Sequence, residues 1–102
     1  MKDNNKTITE LLTNIEKEIE RVDMQGDVAR YSLSSSDELY MVASNYYDIQ
    51  GKLNTIKNQN KNMSKDLATK IDTLIKSVNK KIKETENLAG DLERRENSGY
   101  GI

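Results

Sequence analysis

The sequence contains no cysteine, proline, histidine, tryptophan or phenylalanine, and its only aromatic residues are five tyrosines. Without cysteine the chain forms no disulfide and offers no thiolate to a metal. Without histidine it also lacks the side chain that most often serves as a general base. Large aromatic side chains usually supply much of a core, so this chain must build its core from Leu, Ile, Val and Met.

Several further patterns are missing. No apolar run approaches the roughly 18 residues that span a bilayer, and the polar start of the chain does not resemble a secretory leader. The five glycines are scattered, so they form no phosphate-binding loop, and the acidic residues lack EF-hand spacing. Catalysis by Ser, Lys or carboxylates would need a desolvated pocket, which a thin bundle rarely builds. We therefore predict a cytoplasmic, non-enzymatic protein without cofactor, metal or small-molecule substrate, with leaderless export left open.

The composition that is present favours helices that share narrow seams. Of the 102 residues, 34% are apolar and 32% are charged, which is a low apolar and a high charged content for a globular domain. A chain this short is marginally stable alone, so oligomerisation or a partner would add to its stability. The first half carries a net charge of −5 and the second half +4. This split favours folding of the two halves on each other, or head-to-tail contact between copies.

The first predicted helix covers residues 7–24, after a frayed segment 1–6. Thr7 and Glu10 have capping-box spacing, and the glycine at position 26 predicts the end of the helix. The serine-rich segment 25–35 is typical of a linker. The apolar seam of this helix has alternating spacings of four and three, and consists of Ile8, Leu12, Ile15, Ile19 and Val22.

The second predicted helix covers residues 36–58 and again starts with capping-box spacing, at Ser35 and Glu38. It carries the most regular heptad in the chain, which we predict to be the partner interface. The seam consists of Leu39, Val42, Tyr46, Ile49, Leu53, Ile56, Asn60, Met63 and Leu67.

The third predicted helix covers residues 64–95, followed by a flexible segment 97–102. Asparagines make residues 57–64 a weak helix, and Ser64 is suited to cap a new one. A continuous helix over 36–95 is the alternative. The wider apolar stripe beyond Leu67 favours a turn, and hence an all-α, three-helix bundle or coiled coil forming a single domain over residues 7–96.

The chemistry of the second seam favours four-helix packing. Leucine and tyrosine occupy its a positions and β-branched residues its d positions, which disfavours a parallel dimer and favours tetrameric packing. A buried Asn60 at an a position would fix register and oligomeric state. The alternative, which the neighbouring asparagines favour, places Asn60 in a loop.

Two surface features are candidate binding sites. Tyr40 and Tyr47 lie one heptad apart at exposed positions, where tyrosines either anchor an interface or pack against the linker. Lysines at helical spacing form two rows that could bind the head groups of anionic lipids or the phosphates of a nucleic acid. The lysine-rich stretch 52–83 contains no arginine and no aromatic residue between its lysines, which makes a solvated face the favoured interpretation and argues against nucleic acid. The rows are Lys57, Lys61 and Lys65, and Lys76, Lys80 and Lys83.

The length and the absence of cysteine resemble the small helical-hairpin proteins of type VII secretion. Leu92 and Glu96 stand in the place of their aromatic-x-x-x-acid pattern, while their Trp-x-Gly turn has no counterpart here. The long heptad with one polar layer also resembles coiled-coil subunits of tethering or adaptor complexes and SNARE-like bundles. The first resemblance implies a secreted or chaperone-like hairpin. The second, which we favour, implies a structural or adaptor subunit that packs through its heptad seams with helical partners or with itself.

Overall fold

A computed structural model of the chain describes residues 4–31 and 35–99. Three helices account for most of these residues, namely α1 (Asn4–Tyr31), α2 (Ser36–Gln59) and α3 (Lys65–Gly99). They pack on one another without any strand in the described segments, which confirms the predicted all-α, three-helix bundle.

Consecutive helices run antiparallel and form a rod of 67 × 19 × 16 Å. Helices α2 and α3 make the most extensive contact, and α1 packs mainly on α2. Aliphatic side chains at heptad spacing meet along the axis, because each helix turns one apolar stripe inward. The main core consists of Ile8, Leu12, Ile15, Ile19, Val22, Val42, Tyr46, Ile49, Leu53, Ile56, Ile71, Val78 and Ile82.

The chain turns between α2 and α3, so the alternative of one continuous helix over 36–95 is wrong. The Asn60 side-chain amide donates a hydrogen bond of 2.8 Å to the Ile56 carbonyl at the end of α2. The Ser64 hydroxyl accepts a hydrogen bond of 3.3 Å from the Leu67 backbone N–H, as expected of a serine that caps α3. Both side chains satisfy backbone groups that helix ends leave without partners.

The predicted linker 25–35 is wrong over its first seven residues, because α1 continues to Tyr31. Gly26 is buried in the helix and faces α2, where a Cβ would lie 3.5 Å from Val42 Cγ1. Ala29 is buried in a second small cluster with Leu39, Ala89 and Leu92. This burial stabilises the last turns of α1 against the weak helix propensity of glycine. Residues 32–34 of the predicted linker lie outside the described residues.

Both outer helices are longer than predicted. Helix α1 begins at Asn4, so Thr7 lies inside it and residues 4–6 belong to the helix. Helix α3 extends to Gly99, which corrects the predicted flexible segment over its first three residues. Residues 1–3 and 100–102 lie outside the described part of the chain.

Ser35 precedes α2 as predicted, but its side chain makes no capping hydrogen bond. The Glu38 N–H instead donates to the Ser35 backbone carbonyl at 3.1 Å. The backbone N–H of Ser36, the first residue of α2, donates to the Glu96 carboxylate of α3 at 3.1 Å. A side chain of the neighbouring helix therefore satisfies one N–H group at the start of α2, and the predicted capping hydrogen bond of the Ser35 side chain does not form.

The opposite charges of the two halves meet across the helix interfaces, as the charge split predicts. Three ion pairs connect an acidic residue of α1 to a lysine of α2 or α3. They are Glu18–Lys52 at 2.9 Å, Glu16–Lys70 at 3.0 Å and Asp23–Lys81 at 2.8 Å.

Candidate partner-binding groove

The predicted partner seam of α2 lies inside the bundle. Its members from Leu39 to Ile56 are buried by α1 and α3, while Asn60, Met63 and Leu67 are partly buried at the turn and in α3. The chain's own helices therefore fill this seam, and a partner would reach it only if the bundle opened. Asn60 lies where α2 ends and the turn begins, as the loop interpretation predicts. Its side-chain amide donates a hydrogen bond to its own helix, at the Ile56 carbonyl.

Tyr40 and Tyr47 are partly exposed on the flank between α2 and α3. The Tyr40 hydroxyl donates to Glu93 at 2.8 Å, and the Tyr47 hydroxyl donates to Glu86 at 3.3 Å. The hydrogen bond to Glu93 raises the pKa of Tyr40, and the negative charge of Glu86 raises that of Tyr47. Both tyrosines therefore tie α2 to α3 at heptad spacing, and their role as partner anchors stays a prediction.

The first predicted lysine row does not share one helix face. Lys57 lies in α2 and pairs with Asp72 at 2.8 Å, Lys61 lies in the turn and Lys65 begins α3. The second row stays together on the exposed face of α3, where Lys80 approaches Glu84 at 4.0 Å. Binding of an anionic surface by Lys76, Lys80 and Lys83 stays a prediction.

One partly buried polar cluster joins all three helices. The Asp23 carboxylate of α1 accepts hydrogen bonds from the Tyr46 hydroxyl of α2 and from the Lys81 ammonium of α3. Burial, and next the hydrogen bond to Asp23, raise the pKa of Tyr46 above its usual value. Sequence analysis placed Tyr46 in the seam but did not connect it with Asp23 and Lys81, because this cluster depends on the relative rotation of three helices.

Thr85 is a second residue that sequence analysis missed. Its side chain is 1% exposed, and its hydroxyl oxygen makes no hydrogen bond to any described residue. It lies in the same heptad register as Ile71, Val78 and Leu92, at steps of seven. This spacing indicates that Thr85 faces the core, but a seam defined by apolar residues alone leaves a threonine out.

The outer groove between α1 and α2 carries the most exposed cluster of aliphatic side chains. Near the end of α1, Met24, Val28 and Met41 are 68%, 67% and 66% exposed. They border a groove segment of about 690 Å³ whose floor includes Ala29 and Val42. Apolar side chains at this exposure and proximity are typical of a surface that binds another protein.

The groove continues along the α1/α2 pair in two more segments. The middle segment, of about 320 Å³, is polar and includes Arg21 and Asp48 on opposite sides. The far segment, of about 720 Å³, has Leu11, Ile15 and Ile56 among its lining residues. Successive segments share residues, so they form one groove with apolar ends and a charged centre.

The α2/α3 flank differs from this groove because side-chain contacts cross it along its length. Tyrosine–glutamate, amide–amide and lysine–aspartate contacts are distributed along α2. They are Tyr40–Glu93, Tyr47–Glu86, Gln50–Asn79 and Lys57–Asp72. Across the α1/α2 groove, the hydrogen bonds and ion pairs given by the described residues lie near its centre, at Asn45–Gln25 and Glu18–Lys52.

Comparisons with protein-family models, with curated protein sequences and with solved structures find no match to this chain. The assignment of function therefore depends on the geometry and chemistry of the bundle itself.

Two searches of the described residues bear on the predicted classes of site. No helix in the described segments is long and apolar enough to cross a membrane. Within the same segments, no three acidic side chains come together as a metal site would require.

Proposed function

We propose that this chain is a non-enzymatic interaction protein, a structural or adaptor subunit that binds a partner helix in the α1/α2 groove. The observation that carries the proposal is the exposure of Met24, Val28 and Met41 at one end of a continuous groove. Burying these side chains against a partner would remove apolar surface from water, which is the main driving force of association.

The dimensions of the groove suit a helix. It extends on α1 from Leu11 to Val28, which corresponds to about 25 Å at the helical rise of 1.5 Å per residue. A helix of about 17 residues would cover this length. Methionine side chains are flexible and polarisable, so Met24 and Met41 can adapt to the side chains of such a partner.

The buried seam leaves the groove as the place for a partner. The seam of α2 is filled by the chain's own helices, so a partner helix would pack on the outer α1/α2 groove and not into the seam. The fold has three helices where the resemblance to secreted hairpins implies two, so we favour the subunit over the hairpin interpretation.

Site-specific photo-crosslinking tests the proposal. A photoreactive amino acid replaces Met41 in the groove, and a matched variant carries it at the exposed Lys76 on α3, far from the groove. We expect irradiation of cells to yield a covalent protein adduct from position 41 at several times the yield from position 76. Equal yields at the two positions would refute the groove as a binding surface.

A further inference from the structure

The two rims of the groove carry complementary side chains at the same positions along the bundle axis, which we call levels. On α1 the rim residues Asn14, Arg21 and Val28 follow one another at steps of seven. On α2 the rim residues Met41, Asp48 and Thr55 do the same. Because the helices are antiparallel, the groove segments bring one member of each set together, as Val28 with Met41, Arg21 with Asp48 and Asn14 with Thr55.

Each of these levels is matched in chemistry. The first is apolar on both rims, the second has opposite charges and the third is polar and uncharged. Neither Arg21 nor Asp48 forms an ion pair within the described part of the chain. Their opposite charges are therefore available to a partner whose own charges alternate in the same register.

We propose that the occupant of the groove is a second copy of this chain, related by a two-fold axis parallel to the bundle axis. This inference rests on the proposed function of the groove and names its partner. Such an axis keeps every residue at its own level and places α1 of one copy over α2 of the other. Arg21 then faces the second copy's Asp48, and Val28 faces its Met41, twice in each dimer.

The symmetry makes the contact isologous and closed, as in most soluble homodimers. Two helices of each copy, α1 and α2, would pack across the two-fold axis.

Charge reversal on the two rims tests both the dimer and its symmetry. Arg21→Glu places like negative charges opposite each other at both pairs, and Asp48→Arg places like positive charges there. We expect each variant alone to weaken dimerisation by at least about tenfold, because like charges facing each other at an interface are strongly unfavourable. Light scattering and sedimentation of the purified full chain measure the association.

Mixing the two variants distinguishes this symmetry from others. In a dimer of one Arg21→Glu chain and one Asp48→Arg chain, both facing pairs again have opposite charges. We therefore expect the mixture to form the heterodimer in preference to either homodimer, with an affinity near that of the wild type. Native mass spectrometry separates the species. Lys76→Glu, a charge reversal on the exposed face of α3, serves as the matched control and should leave dimerisation unchanged.

Circular dichroism and chemical denaturation of each variant establish that the bundle is folded. A wild-type chain that stays monomeric at several hundred micromolar refutes self-association, as does a dimer that both charge reversals leave intact. A mixture without heterodimer preference refutes the parallel two-fold arrangement. Crosslinking at Met41 distinguishes a wrong dimer from a wrong binding surface. An adduct with a different protein refutes the self-dimer and leaves the proposed function standing.

Discussion

The Lys81 ammonium lies 2.8 Å from Asp23 Oδ2 and 3.0 Å from Oδ1, and so ties α3 to α1. The same carboxylate accepts the hydroxyl proton of Tyr46 in α2. One side chain of α1 therefore contacts both other helices at a single level of the bundle. Aliphatic seams allow helices to slide by a heptad, whereas this polar contact is satisfied in one register.

Asp23→Ala should lower the free energy of unfolding by about 1–3 kcal/mol, chiefly because the buried Tyr46 hydroxyl loses its acceptor. Lys81→Ala should cost less, about 1 kcal/mol or below, since the ion pair is partly exposed and screened by solvent. Chemical denaturation measures both changes. Asp27→Ala, at an exposed position of the same helix, is the matched control and should have a small effect.

A double-mutant cycle isolates the contribution of the hydroxyl. In a Tyr46→Phe background the Asp23→Ala change should cost clearly less than in the wild type, because no orphaned hydroxyl remains. An equal cost in both backgrounds would show that the Tyr46 hydroxyl does not depend on Asp23.

Stability should fall at alkaline pH through Tyr46. An unfolded tyrosine loses its proton near its usual pKa of 10.0, whereas burial and Asp23 raise the pKa of Tyr46 in the folded chain. The stabilisation is thus fully present below about pH 10 and is lost as pH rises from there through the folded pKa, by up to about 1.4 kcal/mol per pH unit.

Denaturation curves measured from about pH 8 to about pH 11 check this expectation. Tyr46→Phe should reduce the alkaline loss of stability relative to the wild type. Tyr31→Phe is the matched control, because the Tyr31 ring is exposed. If Tyr46→Phe followed the wild-type pH dependence throughout, titration of Tyr46 would not be coupled to folding.

Thr85→Val should stabilise the bundle by about 1 kcal/mol, because a methyl group of similar size replaces a buried hydroxyl that has no hydrogen-bond partner among the described residues. Elsewhere in the chain Thr9, Thr13 and Thr55 direct their hydroxyls to the carbonyl four residues earlier. Thermal unfolding compares Thr85→Val with Thr73→Val at an exposed position of α3. A loss of stability specific to Thr85→Val would indicate that the hydroxyl is satisfied by bound water.

Gly26→Ala should raise stability by about 0.5–1 kcal/mol, because alanine loses less backbone entropy than glycine in a helix. The added Cβ would lie 3.5 Å from Val42 Cγ1, an ordinary contact. Gly90→Ala is the reference variant. A Cβ there would meet nothing within 4 Å, so its gain in stability reports helix propensity alone. A smaller gain at Gly26 than at Gly90 would mean that α1 and α2 must separate to admit the methyl group.

Local patterns predicted the helices best where packing and propensity agree. The heptad from Leu39 to Ile56 lies buried as its spacing requires, and Ser64 caps α3 as its position predicts. The end of α1 was placed too early because Gly26 is a weak helix former by itself. Its burial against α2 is a tertiary contact, which overrides the local preference.

The groove was beyond prediction for a different reason. Met24 and Met41 lie off the seams of their helices, so each reads alone as a scattered surface residue. They form one apolar surface when α1 and α2 pack side by side, and that packing depends on how the three helices are rotated relative to one another. The complementary rims at Arg21 and Asp48 likewise follow from the level at which the two helices meet.

Because three antiparallel helices are an odd number, α1 begins at one end of the rod and α3 ends at the other. Asn5, near the start of α1, contacts the turn at Ser64, while α3 ends at the opposite end of the bundle. The 35 residues of α3 hold these two points about 50 Å apart at the helical rise. The bundle thus has a distinct head and tail. In the proposed parallel two-fold dimer both bundles would point the same way, so the same end of each copy would lie side by side.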